Sequence, residues 1–298
     1  MAVRSGRVHL APFAGRAAFT LVELLVVIAI IALVVSLLFV ALRAARGAGS
    51  RAGTLSTLRG MASAHAAYAL DNRQQLLPGY LNPHLQISLG FITRLPDGTV
   101  VSPGAAGTYV WRLAPYADNN WRTFHHGADP AQMAHLTEQF QSGQLGEIAY
   151  EPRIGLNTIF IGGDSDAGGE LSEYSPWNGS GNPTIAATRL TQLRNPASLV
   201  LFAPTRRAEA PGEPDPVRGW HELRAPYLQG RQWQVGPNGV VASDGLQGFA
   251  GVPAIAKGET VLPVAFADGS AQAVAITDLS EDMRRWSPTA DGPLWRTP

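Results

Sequence analysis

Glu23 is the only ionisable side chain in residues 19–42, a run of 24 residues made almost wholly of Leu, Val, Ile and Ala. An ionised carboxylate inside a membrane segment costs roughly 2.5 kcal/mol or more, and such groups are usually paired and functional. No other residue of the run carries positive charge, so the partner expected for Glu23 is the chain's own terminus, another chain or a lipid head group. Four other residue sets have the types for chemistry. Asp164, Asp166 and Glu170 alternate with glycines over residues 162–170, and oxygen donors in a flexible loop would suit a hard cation such as Ca2+. The spacing of an EF-hand loop is missing, and the stretch reads first as a solvated acidic loop. His125, His126 and His135 are the nearest approach to a zinc set, but adjacent histidines on an extended chain point oppositely and no HExxH or Cys/His spacing accompanies them. Gly-x-Ser-x-Gly is absent, and Asn178-Gly179-Ser180-Gly181 lacks the strand and helix expected around a nucleophile. Trp177, Trp220, Trp233, Trp286 and Trp295 would serve a glycan or partner surface, although core burial explains most aromatics.

The element that carries Glu23 must be a helix of membrane length. At about 1.5 Å per residue, residues 19–42 extend roughly 36 Å, enough for a hydrocarbon core about 30 Å thick. Ser36 would bond a carbonyl one turn back. Beyond Leu42, Gly47, Gly49 and Gly53 each weaken helix propensity by up to about 1 kcal/mol relative to Ala, so a bend or melted turn is expected there. The helical pattern resumes with Leu55, Leu58, Ala62, His65, Ala66 and Ala69 on one stripe, and Pro78-Gly79 is its expected stop. His65 is read as a packed, hydrogen-bonded core histidine.

Phe19-Thr20-Leu21-Val22-Glu23-Leu24, followed by the apolar run and preceded by a short basic leader, closely resembles the processing signal of type IV prepilins and of the pseudopilins of type II secretion systems. The resemblance implies cleavage between Ala18 and Phe19 by prepilin peptidase and N-methylation of Phe19. It also implies assembly with other pilin or pseudopilin subunits, with Glu23 pairing with the terminal ammonium of a neighbour. Most family members have Gly before the cut, where this chain has Ala18. A plain signal peptide fits worse, because its apolar region is about 7–15 residues and precedes the cleavage site.

Arg4, Arg7 and Arg16 precede the run, and Arg43, Arg46, Arg51 and Arg59 follow it, so the positive-inside rule is divided. The resemblance places the leader in the cytoplasm and residues beyond about 43 in the periplasm or outside, with a single pass through the inner membrane. The zero net charge conceals an asymmetry: residues 1–74 hold eight Arg against Glu23 and Asp71, whereas residues 75–298 hold 15 basic against 21 acidic residues. A mildly acidic outer domain argues against general nucleic-acid binding. The chain has no cysteine, so no disulfide staples the exported part.

From Tyr80 onward short apolar runs alternate with Gly, Pro, Asn and Asp, the texture of a β-rich domain. Strands are expected at residues 86–94, 99–102, 109–113, 158–161, 199–203, 261–266 and 271–276, with hairpin turns at Asp97-Gly98 and Asp268-Gly269. A similar Phe-Ala-Asp-Gly hairpin ends many large pilin-like proteins, often with His where Ser270 stands here. A short helix is expected over residues 130–141, with Asp129 as N-cap and Pro130 at its first position. Residues 203–216 read as an exposed Pro-rich loop with Arg206 and Arg207 solvated.

The expected fold is α+β: a leader (1–18), a transmembrane and assembly helix (19–42), its continuation (43–77) and an exported β-rich domain (78–298) with an antiparallel sheet. The expected function is a noncatalytic filament subunit of the type IV pilus or type II secretion class, with no cofactor beyond a candidate Ca2+ site. The alternative is a membrane-tethered exported enzyme or carbohydrate-binding protein.

Overall fold

Helix α1, Leu21–Asp71, is continuous over 51 residues and bridges the two halves of the expected helical pattern. The computed structural model describes residues 21–165, 185–207, 218–228, 231–236, 239–242, 251–255 and 259–295. Gly47, Gly49 and Gly53 do not melt α1, which stays helical through all three. Once a helix is nucleated each added residue gains a hydrogen bond, so scattered propensity losses near 1 kcal/mol do not stop propagation. The helix ends at Asp71, earlier than Pro78-Gly79. Arg73 and Gln74 take left-handed backbone angles, the Asn72 side-chain amide donates to the Tyr68 carbonyl at 2.8 Å, and the Gln74 N–H donates to the Ala69 carbonyl. The last carbonyls of the helix are thereby satisfied before the prolines are reached.

By contact density the chain divides into two compact units, one through Ser50 and one from Arg51. In the first, the apolar side chains of residues 21–39 are all exposed. In the second, four residues of the expected stripe, Leu58, Ala62, His65 and Ala69, are buried and Leu55 and Ala66 half-buried; Met61 and Tyr68 join them in the core with Leu156, Leu201 and Phe202. Arg59, on the opposite edge of the helix, donates through Nη2 to the Ala271 carbonyl at 2.9 Å.

The main sheet is antiparallel, ordered β1 (Ile154–Leu156), β2 (Val200–Arg206), β7 (Val261–Phe266) and β8 (Ala271–Ala275), with β6 (Val252–Pro253) pairing the far end of β2. A second sheet joins β3 (Tyr227–Leu228), β4 (Arg231–Gly236) and β5 (Gly239–Ala242). The β7–β8 hairpin turns at the predicted Asp268-Gly269, where Gly269 adopts a φ of +90° and Asp268 Oδ1 accepts from the Ser270 N–H and hydroxyl. Both faces of the sheet are covered. One carries the core that includes α1, and the other a cluster of Phe160, Leu262, Val264, Phe266 and Trp286.

Several expected strands are not strands. Residues 86–94 begin in α2 (Pro83–Ser88), which Asn82 caps by accepting from the Leu85 N–H, and residues 99–102 contribute only a bridge between Arg94 and Val100. Residues 109–113 form α3 (Tyr109–Leu113), whose five residues are all buried. Residues 158–161 form turns with one bridge at Ile161. A short apolar run buried on every side has no periodicity to separate helix from strand. The helix over residues 130–141 is present as α4 (Pro130–Gln141), with Asp129 Oδ1 accepting from the Gln132 N–H at 2.9 Å. Two further short helices, α5 (Gly146–Tyr150) and α6 (Ile276–Ser280), complete the labelled elements. The fold is mixed α+β, an N-terminal apolar helix with a C-terminal antiparallel-sheet domain.

Candidate functional site

The first candidate site is the beginning of α1. Ala18 and Phe19 lie outside the described residues, while Glu23 sits in the exposed first turn. Beyond it, Leu21–Phe39 forms 19 residues long and apolar enough to cross a membrane, none of them buried within the protein. Apolar groups occur around the whole circumference, the pattern of a helix surrounded by lipid or by other helices. Ser36 Oγ donates to the Leu33 carbonyl at 2.7 Å, so its hydroxyl is satisfied within the helix. This helix fits a membrane anchor.

The second candidate, the acidic loop, changes character. Asp164 is buried, not solvated: its Oδ2 accepts from the Thr158 hydroxyl at 3.5 Å, and its backbone bridges Tyr80. Asp166 and Glu170, the other two donors of the Ca2+ reading, lie outside the described residues. Asp164 faces Arg112, a guanidinium buried in α3 that Asp164, Tyr68 and Tyr80 help to keep charged while burial pushes its pKa down to about 10. Arg112 also donates to the carbonyls of Gly107, Thr108 and Gly79. Its role is thus to tie together the turns that follow α1.

The histidines do not converge. His125 is buried with its Nε2 on the Ile148 carbonyl, His126 lies against Gly53, and His135 pairs with Glu147 on the surface at 3.1 Å. Among the described residues no group of three His, Cys, Asp or Glu could hold a metal ion. A surface cleft of about 390 Å3 is lined by Thr191, Gln192, Arg194, Thr289, Pro288 and two alanines, without a carboxylate or imidazole. His65 is packed as expected, its ring edge-on to Phe202, but its Nε2 has no hydrogen-bond partner. Burial pushes its pKa down to about 4.

Of the five tryptophans singled out, Trp286 is a core residue whose Nε1 donates to the Leu279 carbonyl, and Trp295 packs on Phe160. Trp220 lies beneath the Arg207 guanidinium, 5.6 Å from the ring centre, and beside His221. Trp177 lies outside the described residues, as does the side chain of Trp233. The expected Pro-rich loop starts later than residue 203, because residues 203–206 complete β2 and Thr205 is buried. Arg207 is not simply solvated either: Arg207 and Arg218 both donate to Glu151 Oε1.

Sequence reasoning missed the cluster of Tyr80, Arg112, Tyr150 and His221. Tyr80 stacks on His221, and the Tyr80 and Tyr150 hydroxyls lie 3.2 Å apart. The one signal available was Arg112 within the apolar run Tyr-Val-Trp-Arg-Leu, a charge where the pattern demands burial.

No curated protein and no solved structure is significantly similar to the chain. Residues 14–39 match the family described as the prokaryotic N-terminal methylation motif, and the match covers the segment around the expected cut together with the exposed apolar helix. The chain therefore carries the prepilin-type motif of pilins and pseudopilins, the N-terminal signature of a pilin- or pseudopilin-like exported protein.

Proposed function

We propose that this protein is a noncatalytic structural subunit of a filament of the type IV pilus or type II secretion pseudopilus class. Prepilin peptidase cleaves before Phe19, and the new terminus is methylated. The subunit then rests in the inner membrane with its C-terminal domain on the outer side. The observation that carries this reading is the methylation motif at residues 14–39, whose described part, from Leu21, is a helix with its apolar side chains exposed. Nothing in a folded monomer rewards such a surface in water. Lipid covers it before assembly and neighbouring helices cover it afterwards.

Glu23 supplies register. A carboxylate transferred into an apolar helix bundle is costly unless a cation meets it, and a neighbour's terminal ammonium does so at only one stagger of the helices. Glu23→Ala should leave cleavage and methylation intact, read as the mass of the processed chain. It should also strongly lower the amount recovered in the sheared filament fraction. Normal incorporation of that variant would remove Glu23 from the assembly mechanism.

A further inference from the structure

Among the described residues from Arg51 onward, seven large apolar side chains are substantially exposed, and five of them fall within residues 87–100. They are Ile87 at 70%, Leu89 at 49%, Phe91 at 39%, Ile92 at 65% and Val100 at 53%. Their exposure is built into ordered backbone. The buried Gln86 amide donates to the carbonyls of Leu81 and Pro103, clamping both ends of the segment. A narrow antiparallel ribbon follows, with the Leu95 N–H on the Thr99 carbonyl, the Val101 N–H on the Thr93 carbonyl and a bridge between Arg94 and Val100. Alternation along it turns Val101 and Leu95 inward, leaving Ile92, Arg94 and Val100 on the outer face. The end of α2 adds Ile87, and the link to the ribbon adds Leu89 and Phe91.

We propose that this patch is a self-complementary contact through which a second copy of the same chain docks face to face. Its charges select that occupant. Residues 85–103 hold one cation, Arg94, and one anion, Asp97, both exposed and three positions apart. A two-fold axis through the patch sets each Arg94 against the partner copy's Asp97, and the apolar side chains against their own counterparts. Arg94 spends one N–H on the Gly98 carbonyl and Asp97 one oxygen on the Thr99 N–H, so both keep hydrogen-bonding capacity for a partner. A patch low in charge at its centre, with apolar side chains dominant, has the composition of an interface core. Membrane anchoring strengthens the argument. Confinement of copies in one bilayer raises their effective concentration. This inference rests on the anchoring of α1 and not on filament assembly.

The absence of cysteine from the chain makes the test direct. Ile92→Cys is introduced into the full-length protein in its membrane, with and without Glu23→Ala, and mild oxidant is added. A disulfide-linked species of twice the chain mass is expected in both backgrounds, because pairing does not depend on the filament. Ala273→Cys, on the exposed side of β8, should not crosslink. Adding Arg94→Asp to Ile92→Cys should lower crosslinking by about fivefold, the equivalent of roughly 1 kcal/mol, and adding Asp97→Arg as well should restore it. The proposal is overturned if Ile92→Cys stays monomeric, if Ala273→Cys crosslinks equally, if the charge swap fails to rescue, or if the patch joins a chain of different mass. Loss of crosslinking confined to the Glu23→Ala background would assign the contact to the filament instead.

Discussion

At the scale of single residues, the constraints that matter most are positions where the backbone of one turn touches another. Gly162 adopts a φ of +81°, and a Cβ built there would lie 1.9 Å from the Leu77 carbonyl oxygen. Its N–H also donates to the Ala187 carbonyl. Gly162→Ala therefore combines a left-handed backbone penalty with a collision against main chain that no rotamer relieves. A loss of about 2–4 kcal/mol is expected, read as a lowered denaturation midpoint of the detergent-solubilised chain. The sequence shows a run of glycines at 162–169 without distinguishing which one is obligatory, because the collision is with a residue 85 positions earlier. Glu23 is the reverse case. Its oddity is visible from local composition alone, since a carboxylate amid 23 uncharged residues is anomalous in any fold.

At the scale of elements, legibility follows how local the determining interactions are. Helix α4 is set by its own N-cap, its first-turn proline and its periodic pattern, and it forms over the expected residues. Asp129→Ala removes the oxygen that accepts from the Gln132 N–H and should cost about 1 kcal/mol, visible as a lower midpoint with an unchanged denaturant slope. The β7–β8 hairpin is equally local, its register fixed by the Asp268-Gly269 turn. Helix α3 could not be read in the same way. Its residues are buried on all sides by Phe124, Phe202 and the α4–α5 region, so neither a two-residue nor a 3.6-residue period survives in its hydrophobicity. The same holds for residues 158–161, where the Asn157 side chain, bonded to the carbonyls of Val200 and Trp286, draws the chain into turns.

At the scale of the whole molecule, each unit has its own physical character. The first exposes an apolar helix that requires a non-aqueous or helical surround. The second is a packed domain holding three buried histidines, His65, His125 and His221. Burial pushes them down to about 4, 4 and 3; Arg153 pushes His125 further down against the Ile148 bond, and Arg224 and Arg112 add to the shift of His221. Each stays neutral in the fold but titrates near 6.5 when unfolded, so between about pH 6.5 and 4 the unfolded state binds more protons. The stability these groups contribute is fully present above pH 6.5 and falls as the pH drops, at a limiting slope of about 1.4 kcal/mol per pH unit for each histidine. The denaturation midpoint should therefore decline steeply from pH 6.5 to pH 4.5, and His65→Leu, which keeps an apolar side chain in the core, should flatten that decline. An unchanged pH dependence in the variant would show that His65 is accessible to protons in the fold.

The N-terminal motif, the membrane-length helix, the amphipathic stripe that enters the core, the capped helix α4 and the final hairpin are legible in the order of residues, because each depends on interactions within a few residues or on composition alone. Long-range packing sets the rest: Asp164 helps to balance a buried Arg112, α3 is helical, β2 runs to Arg206 and residues 87–100 present an apolar ribbon outward. Each of those outcomes depends on which distant segments share a surface. Hydrophobicity records that a side chain prefers to leave water; it does not record which partner receives it, or whether that partner belongs to the same molecule.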